Sequence, residues 1–243
     1  MEQRLSLKIT LILILMMVIG LSVTSCFMFF MDWSPEESEE YEYLIDEDFN
    51  DGIADNWTIT DGTWATSAVE YILTTPAAFS FCYGSYYNET ANNSFTDYTF
   101  EANITQINTD TNENKFGLFF RCTNPGSIIS AAPTHSGYML YIRMTNSVGG
   151  GPFWGLQIWD GLGGFTSLMP ETFEPNLSDI HGTVNKVKVD VQGDKIDVYF
   201  NDVFIQTFYD STYTYGSVGL FGWGGATAND FRFDDVRLWA VKE

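Results

Sequence analysis

Three stretches near the middle of the chain place flat aromatic rings and guanidinium groups where they could hold a sugar. In residues 116–122, 138–144 and 154–159, one parity carries Phe116, Leu118, Phe120 and Cys122, then Leu140 with Ile142, then Leu156 with Ile158. The opposite parity carries Phe119 and Arg121, Tyr141 and Arg143, and Gln157 and Trp159. If the first set faces a core, the second is a surface on which rings meet the apolar faces of pyranoses. Arg and amide groups would then direct hydrogen bonds at hydroxyls. The same set also makes an ordinary solvent face with cation–π pairs between neighbouring strands. Trp154, Tyr138 and Trp223 stand close enough in sequence to add to a binding rim, and Trp223 could instead plug an end of the fold.

Other chemistry finds little to work with. His135 and His181 lack the H-x-x-x-H or H-E-x-x-H spacing of a zinc site, and the cysteines lack C-x-x-C spacing. The glycines of 149–151 and 161–164 are not followed by helical patterns, so they read as turn glycines and not as phosphate cradles. No Gly-x-Ser-x-Gly nucleophile elbow occurs.

The elements that must carry these residues are strands. From Leu44 onward the apolar period is two, as where Tyr98, Phe100, Ala102 and Ile104 alternate with Thr99, Glu101 and Asn103. Val187, Val189 and Val191 alternate with Lys186, Lys188 and Asp190 in the same way. Residues 192–195 and the Asn201-Asp202 pair are short enough to join antiparallel hairpins. Further strands are expected at 69–74, 78–83, 217–222 and 230–241, and no long amphipathic helix after residue 32. The expected fold is therefore all-β, an antiparallel two-sheet sandwich, over residues 44–243.

Two ends of that domain resemble a known group. Glu47-Asp48-Phe49-Asn50-Asp51-Gly52 with Asn56-Trp57, and Phe231-Arg232-Phe233-Asp234-Asp235-Val236-Arg237-Leu238, are similar to the opening and closing segments of concanavalin A-like jelly rolls, the laminin-G-like and carbohydrate-binding-module domains. The resemblance implies a structural calcium where the ends meet, held by Asp234 or Asp235, by Asn50 and by backbone carbonyls. Asn50 stands where many relatives have Glu. Independently, Phe231 and Phe233 are odd while Val236, Leu238 and Ala240 are even, so the register flips at Asp234-Asp235, as a β-bulge would make it. Oxygen-only ligands suit calcium. Glucanases of this fold class carry E-x-D-x-x-E or E-x-D-x-E on one strand, and neither run is present.

The N-terminal region concerns location. Arg4 and Lys8 precede an apolar run and then Val23-Thr24-Ser25-Cys26, the order of a secretory signal. Val-Thr-Ser-Cys resembles a bacterial lipobox, which implies lipidation of Cys26. Residues 9–31 are also long enough, at 23, to span a bilayer uncut as an anchor helix. Either reading makes 1–31 a signal peptide or membrane anchor, 32–43 an acidic linker, and the remainder a domain outside the cytoplasm. Residues 32–48 hold nine acids and no base, so self-repulsion extends the linker. In an oxidising compartment, Cys82 and Cys122 form a disulfide or are buried apolar residues.

With 32 acids against 11 bases, the net charge of −21 has the wrong sign for a nucleic-acid partner. The expected role is a surface-tethered, non-catalytic carbohydrate-binding or adhesion domain of the cell envelope, whose partner is a glycan or cell-surface polysaccharide. The alternatives are a glycoside hydrolase of the jelly-roll class and a structural envelope lipoprotein.

Overall fold

A computed structural model describes residues 41–60, 62–67, 69–75, 81–87, 95–107, 114–124, 134–144, 150–224 and 228–241. Cys26, the rest of residues 1–31 and most of the acidic linker lie outside the described residues. The first strand begins at Tyr41, three residues inside the segment expected to be linker. In chain order the strands are β1 (Tyr41–Glu47), β2 (Trp57–Ile59), β3 (Thr63–Thr66), β4 (Tyr71–Thr75), β5 (Phe81–Tyr87), β6 (Tyr98–Gln106), β7 (Lys115–Asn124) and β8 (Ser136–Arg143). They continue as β9 (Phe153–Asp160), β10 (Phe165–Phe173), β11 (Asn185–Gln192), β12 (Lys195–Phe200), β13 (Val203–Tyr209), β14 (Ser217–Gly224) and β15 (Asn229–Val241).

No helix occurs among the described residues. The strands form two antiparallel sheets. One has eight strands in the order β13-β12-β11-β6-β15-β4-β3, with β1 also pairing β15. The other has seven, in the order β10-β9-β8-β7-β14-β5-β2. Alternation dictates which side of each strand is dry: in β11, Val187, Val189 and Val191 are buried while Lys186, Lys188 and Asp190 turn outward. The core forms where the two inner faces interdigitate, with Phe116 stacked on Phe231 at 4.8 Å and Trp154 edge-on to Phe200 at 5.4 Å.

The expected turns are present and have a clear cause. Asn201 and Asp202 both adopt positive φ, 49° and 64°, between the paired residues Phe200 and Val203. That is the backbone of a type I′ hairpin, whose twist matches the flanking strands, and Asn and Asp tolerate it better than bulkier residues. The bulge expected in the last strand is also present: the β15–β6 register shifts between Asp234 and Arg237, and Asp235 has φ 47°. The strand expected at 78–83 is displaced to Phe81–Tyr87.

Candidate functional site: the outward face of the seven-stranded sheet

The inner side of the seven-stranded sheet carries Phe116, Leu118, Phe120, Leu140, Ile142, Trp154 and Leu156, all in the main core. Its outward side should therefore be polar, and it is not. Tyr86, Phe119, Met139, Tyr141, Trp159 and Phe221 are buried there in a second cluster, with Trp223 packed against them. Cross-strand register explains the grouping, because Gln157, Met139, Phe119, Gly219 and Tyr86 fall in one row across β9, β8, β7, β14 and β5. Glycines let the rings lie flat: a Cβ on Gly155 would stand 2.5 Å from the Tyr141 ring, and one on Gly219 2.7 Å from the Tyr86 ring. Tyr86 and Phe119 stack at 5.3 Å with planes 5° apart, and Phe119 continues to Phe221 at 4.5 Å.

His135 completes this layer. Its ring lies 4.1 Å from that of Phe119, and its Nδ1 shares a 2.6 Å hydrogen bond with the Tyr86 hydroxyl. It is wholly buried, and burial alone pushes its pKa down to about 3, so the ring is neutral. Among the described residues its Nε2 has no hydrogen-bond partner.

Phe119, Tyr141, Arg143, Gln157 and Trp159 thus share the face that parity assigns them. Arg121 does not. It adopts φ 49°, and the registers of β7 with β8 and with β14 both shift beside it. This bulge turns the guanidinium away from the aromatic layer. Arg121 donates to the carbonyls of Thr96 at 3.0 Å and Tyr213 at 3.3 Å, and its backbone N–H donates to the Tyr98 hydroxyl. The same bulge moves Cys122 off the expected core side and into the outward cluster.

Exposure also differs from the expectation. Phe119, Tyr141, Gln157 and Trp159 are no more than 6% exposed, and the Trp159 Nε1–H donates to Gln157 Oε1 at 3.2 Å. Trp154 and Tyr138 belong to the core and not to a rim. Groups within reach of a ligand lie two rows along from Phe119, where Phe173, Phe153, Arg143, Lys115 and Trp223 are successive cross-strand neighbours. Adjacent strands are about 4.8 Å apart, so this strip is about 19 Å long. The Arg143 guanidinium lies 4.9 Å from the Phe153 ring and donates to Glu171 of β10, and Lys115 Nζ sits 4.5 Å from the Tyr141 ring. Lys115, Glu171 and Phe153 were not candidates from sequence, whereas Trp223 was named there as a possible part of a binding rim.

The cysteine pairing is excluded. On β14, Cys82 pairs with Trp223 and Cys122 with Ser217, six residues away, or about 20 Å along the strand. A disulfide needs Cα atoms within about 7 Å. Cys122 is a buried free thiol whose pKa burial raises.

At the closing bulge, Asp235 does not fit a calcium ligand, since Arg237 and Asn103 donate to its two carboxylate oxygens at 2.7 and 2.8 Å. Asp234 fits better. Its Oδ1 accepts from the Asp235 N–H, and its pKa is raised by burial and by Asp235, Glu70 and Asp48. Glu47 is raised by burial and by Asp51, Asp55 and Asp48, so the opening turn and Asp234 crowd negative charge that a cation would relieve. Asn50 is exposed on that turn, its N–H donating to Asp48. Among the described residues no three acidic, His or Cys side chains gather as a ready cluster.

No protein-family model matches the chain, and no curated protein matches it. Solved structures do. The carbohydrate-binding module CBM66 from Bacillus subtilis superimposes with a TM-score of 0.56 at 18% identity, over 74% of this chain and 93% of that one. The catalytic domain of an endo-1,3-β-glucanase (laminarinase) from Thermotoga petrophila gives 0.58 at 10% identity, over 84% of this chain and 100% of that one. The VIP36 exoplasmic/lumenal domain, in a form bound to Ca2+ and Man3GlcNAc, gives 0.55 at 10% identity, over 85% and 90%. At these identities the likeness is one of fold: an antiparallel two-sheet β-sandwich, which a binding module and a glucanase catalytic domain share.

Proposed function

We propose that residues 41–241 are a carbohydrate-binding domain, and that a glycan lies along the strip from Phe173 to Trp223 on the outward side of the seven-stranded sheet. One observation carries this reading: the sheet side that does not build the core is aromatic, with half-buried rings and N–H donors at its accessible row. Stacking rings beside directional donors is what pyranose recognition requires. The fold supports it, since the structural neighbours include a carbohydrate-binding module and a domain bound to an oligosaccharide.

Binding without turnover is the favoured form. Glycoside hydrolysis needs two carboxyl groups about 5 to 9.5 Å apart astride the bond. Among the described strand residues turned outward from this sheet, Glu171 is the one carboxylate, and it is held by Arg143 and, at 3.8 Å, by Lys115. Screening the full-length chain on a glycan array, followed by calorimetry on the hits, tests the proposal. Trp223→Ala should weaken binding by roughly 1 to 3 kcal/mol with an unchanged fold. Undiminished affinity in that variant would move the site elsewhere, and silence across the array would remove it.

The proposal extends to a structural calcium at Asp234 beside the opening turn. A ligand bound only by the native state stabilises it by mass action, so chelation should lower the melting temperature. Asp234→Asn should abolish that response and Asp235→Asn should not. A melting curve indifferent to chelator would dispose of the ion.

A further inference from the structure

Lys115 and Arg143 are direct cross-strand neighbours in the β7–β8 ladder. Like charges set opposite each other on a sheet are destabilising. This chain has only 11 bases, so such a pairing stands out against the chain's overall acidity. Glu171 answers the two cations with a single carboxylate, and the buried Arg143 Nε–H, like that of Arg232, has no acceptor among the described residues. Four of the bases on the eight-stranded sheet each meet at least one acid, while Lys188 lies against the Tyr199 ring. Lys186 meets both Glu101 and Asp202, Lys195 meets Asp197, Arg232 meets Glu70, and Arg237 meets Asp46 and Asp235.

The strip therefore carries a local positive excess. Charges farther than a Debye length of about 8 Å are screened at physiological salt, so this excess acts on a ligand lying against the strip.

Resting on the carbohydrate reading, we infer that Lys115 and Arg143 receive an oxyanion of the glycan, a sulfate ester or a uronate carboxylate, so that the domain selects acidic polysaccharides over neutral ones. Phe153 and Trp223 flank the two cations in the same row and supply stacking surfaces on either side of the charged unit. A planar guanidinium held against an aromatic face presents its remaining N–H groups to an oxyanion in a fixed plane.

The test uses matched polymers and the full-length chain: dextran sulfate against dextran, and polygalacturonate against its methyl ester. Binding of a charged member without its neutral twin, weakening as salt rises, is the expected result, and which pair responds separates sulfate from carboxylate. Lys115→Gln with Arg143→Gln should reduce that affinity about tenfold or more, the scale of lost charge-assisted hydrogen bonds. Glu171→Gln, which frees both cations and keeps the side-chain shape, should raise it. Lys188→Gln on the other sheet should leave it unchanged. Equal binding of charged and neutral members, or an unaltered double variant, overturns the inference and leaves the carbohydrate reading standing. Silence on all four polymers also overturns it, and the carbohydrate reading falls with it only if neutral glycan arrays are silent as well.

Discussion

The two outward faces of the sandwich obey the same alternation and fill it with opposite chemistry. On the eight-stranded sheet, outward positions of β11 and β12 are Lys186, Lys188, Asp190, Lys195, Asp197 and Tyr199, a lattice in which charges answer one another. On the seven-stranded sheet the equivalent positions are rings set against glycines. A sandwich needs only its inner faces to be apolar, so the first face is what solubility asks for and the second exceeds what folding asks for. Buried charges on the first face show how far water suffices there. Glu101 is about as hidden as Trp159, yet it is held by Lys186 at 3.1 Å and tolerated.

The largest test sets neighbours in sequence against each other. Leu118 faces the core and Phe119 the outward cluster, and both are fully buried. Leu118→Ala should cost roughly 2 to 5 kcal/mol and Phe119→Ala roughly 3 to 5 in denaturant unfolding. A Phe119 variant that loses less than about 1 kcal/mol would mean that the outward layer is not a second core, and the comparison would break there.

A smaller effect should come from His135, which belongs only to the aromatic face. Its folded pKa is about 3 because burial disfavours the charged ring. An unfolded histidine takes up its proton near pH 6.5. The stability this residue contributes is thus present above about pH 6.5 and is lost as pH falls toward 3, by up to about 1.4 kcal/mol per pH unit. His135→Phe should flatten that limb of a stability–pH curve relative to the parent. Parallel curves would show that the ring is hydrated and ordinary.

The smallest effect belongs to the charged face. Lys188 lies 4.3 Å from the Tyr199 ring, and Lys188→Ala should cost about 0.5 to 1 kcal/mol in the same unfolding measurement. A loss comparable to that of Phe119 would erase the distinction between the faces.

Period-two alternation made much of this legible in sequence. It separated Phe119, Tyr141 and Trp159 from Leu118, Leu140 and Leu156, and it located the bulge at Asp234-Asp235, because the apolar residues change parity there. The bulge at Arg121 left no such mark. Phe119, Phe120 and Cys122 are apolar on both sides of it, so a flip exchanges like for like and the pattern continues undisturbed. Burial of the outward rings was illegible for a related reason: when both faces of a strand are apolar, parity sorts residues into sides without saying whether the second side meets water. Lys115 and Glu171 became partners only through the pairing of distant strands, which no local pattern encodes.

The pairing of the first strand with the last has a consequence for how this domain can be moved between chains. Tyr41 lies directly opposite Val241, so the two ends of the folded unit stand one ladder spacing apart, about 5 Å. The unit is in that sense a cassette. It can be grafted into a surface loop of another protein without prying that loop open, and a short linker can join its ends while a new start is cut at the Asn201-Asp202 turn, where no strand pairing would be severed.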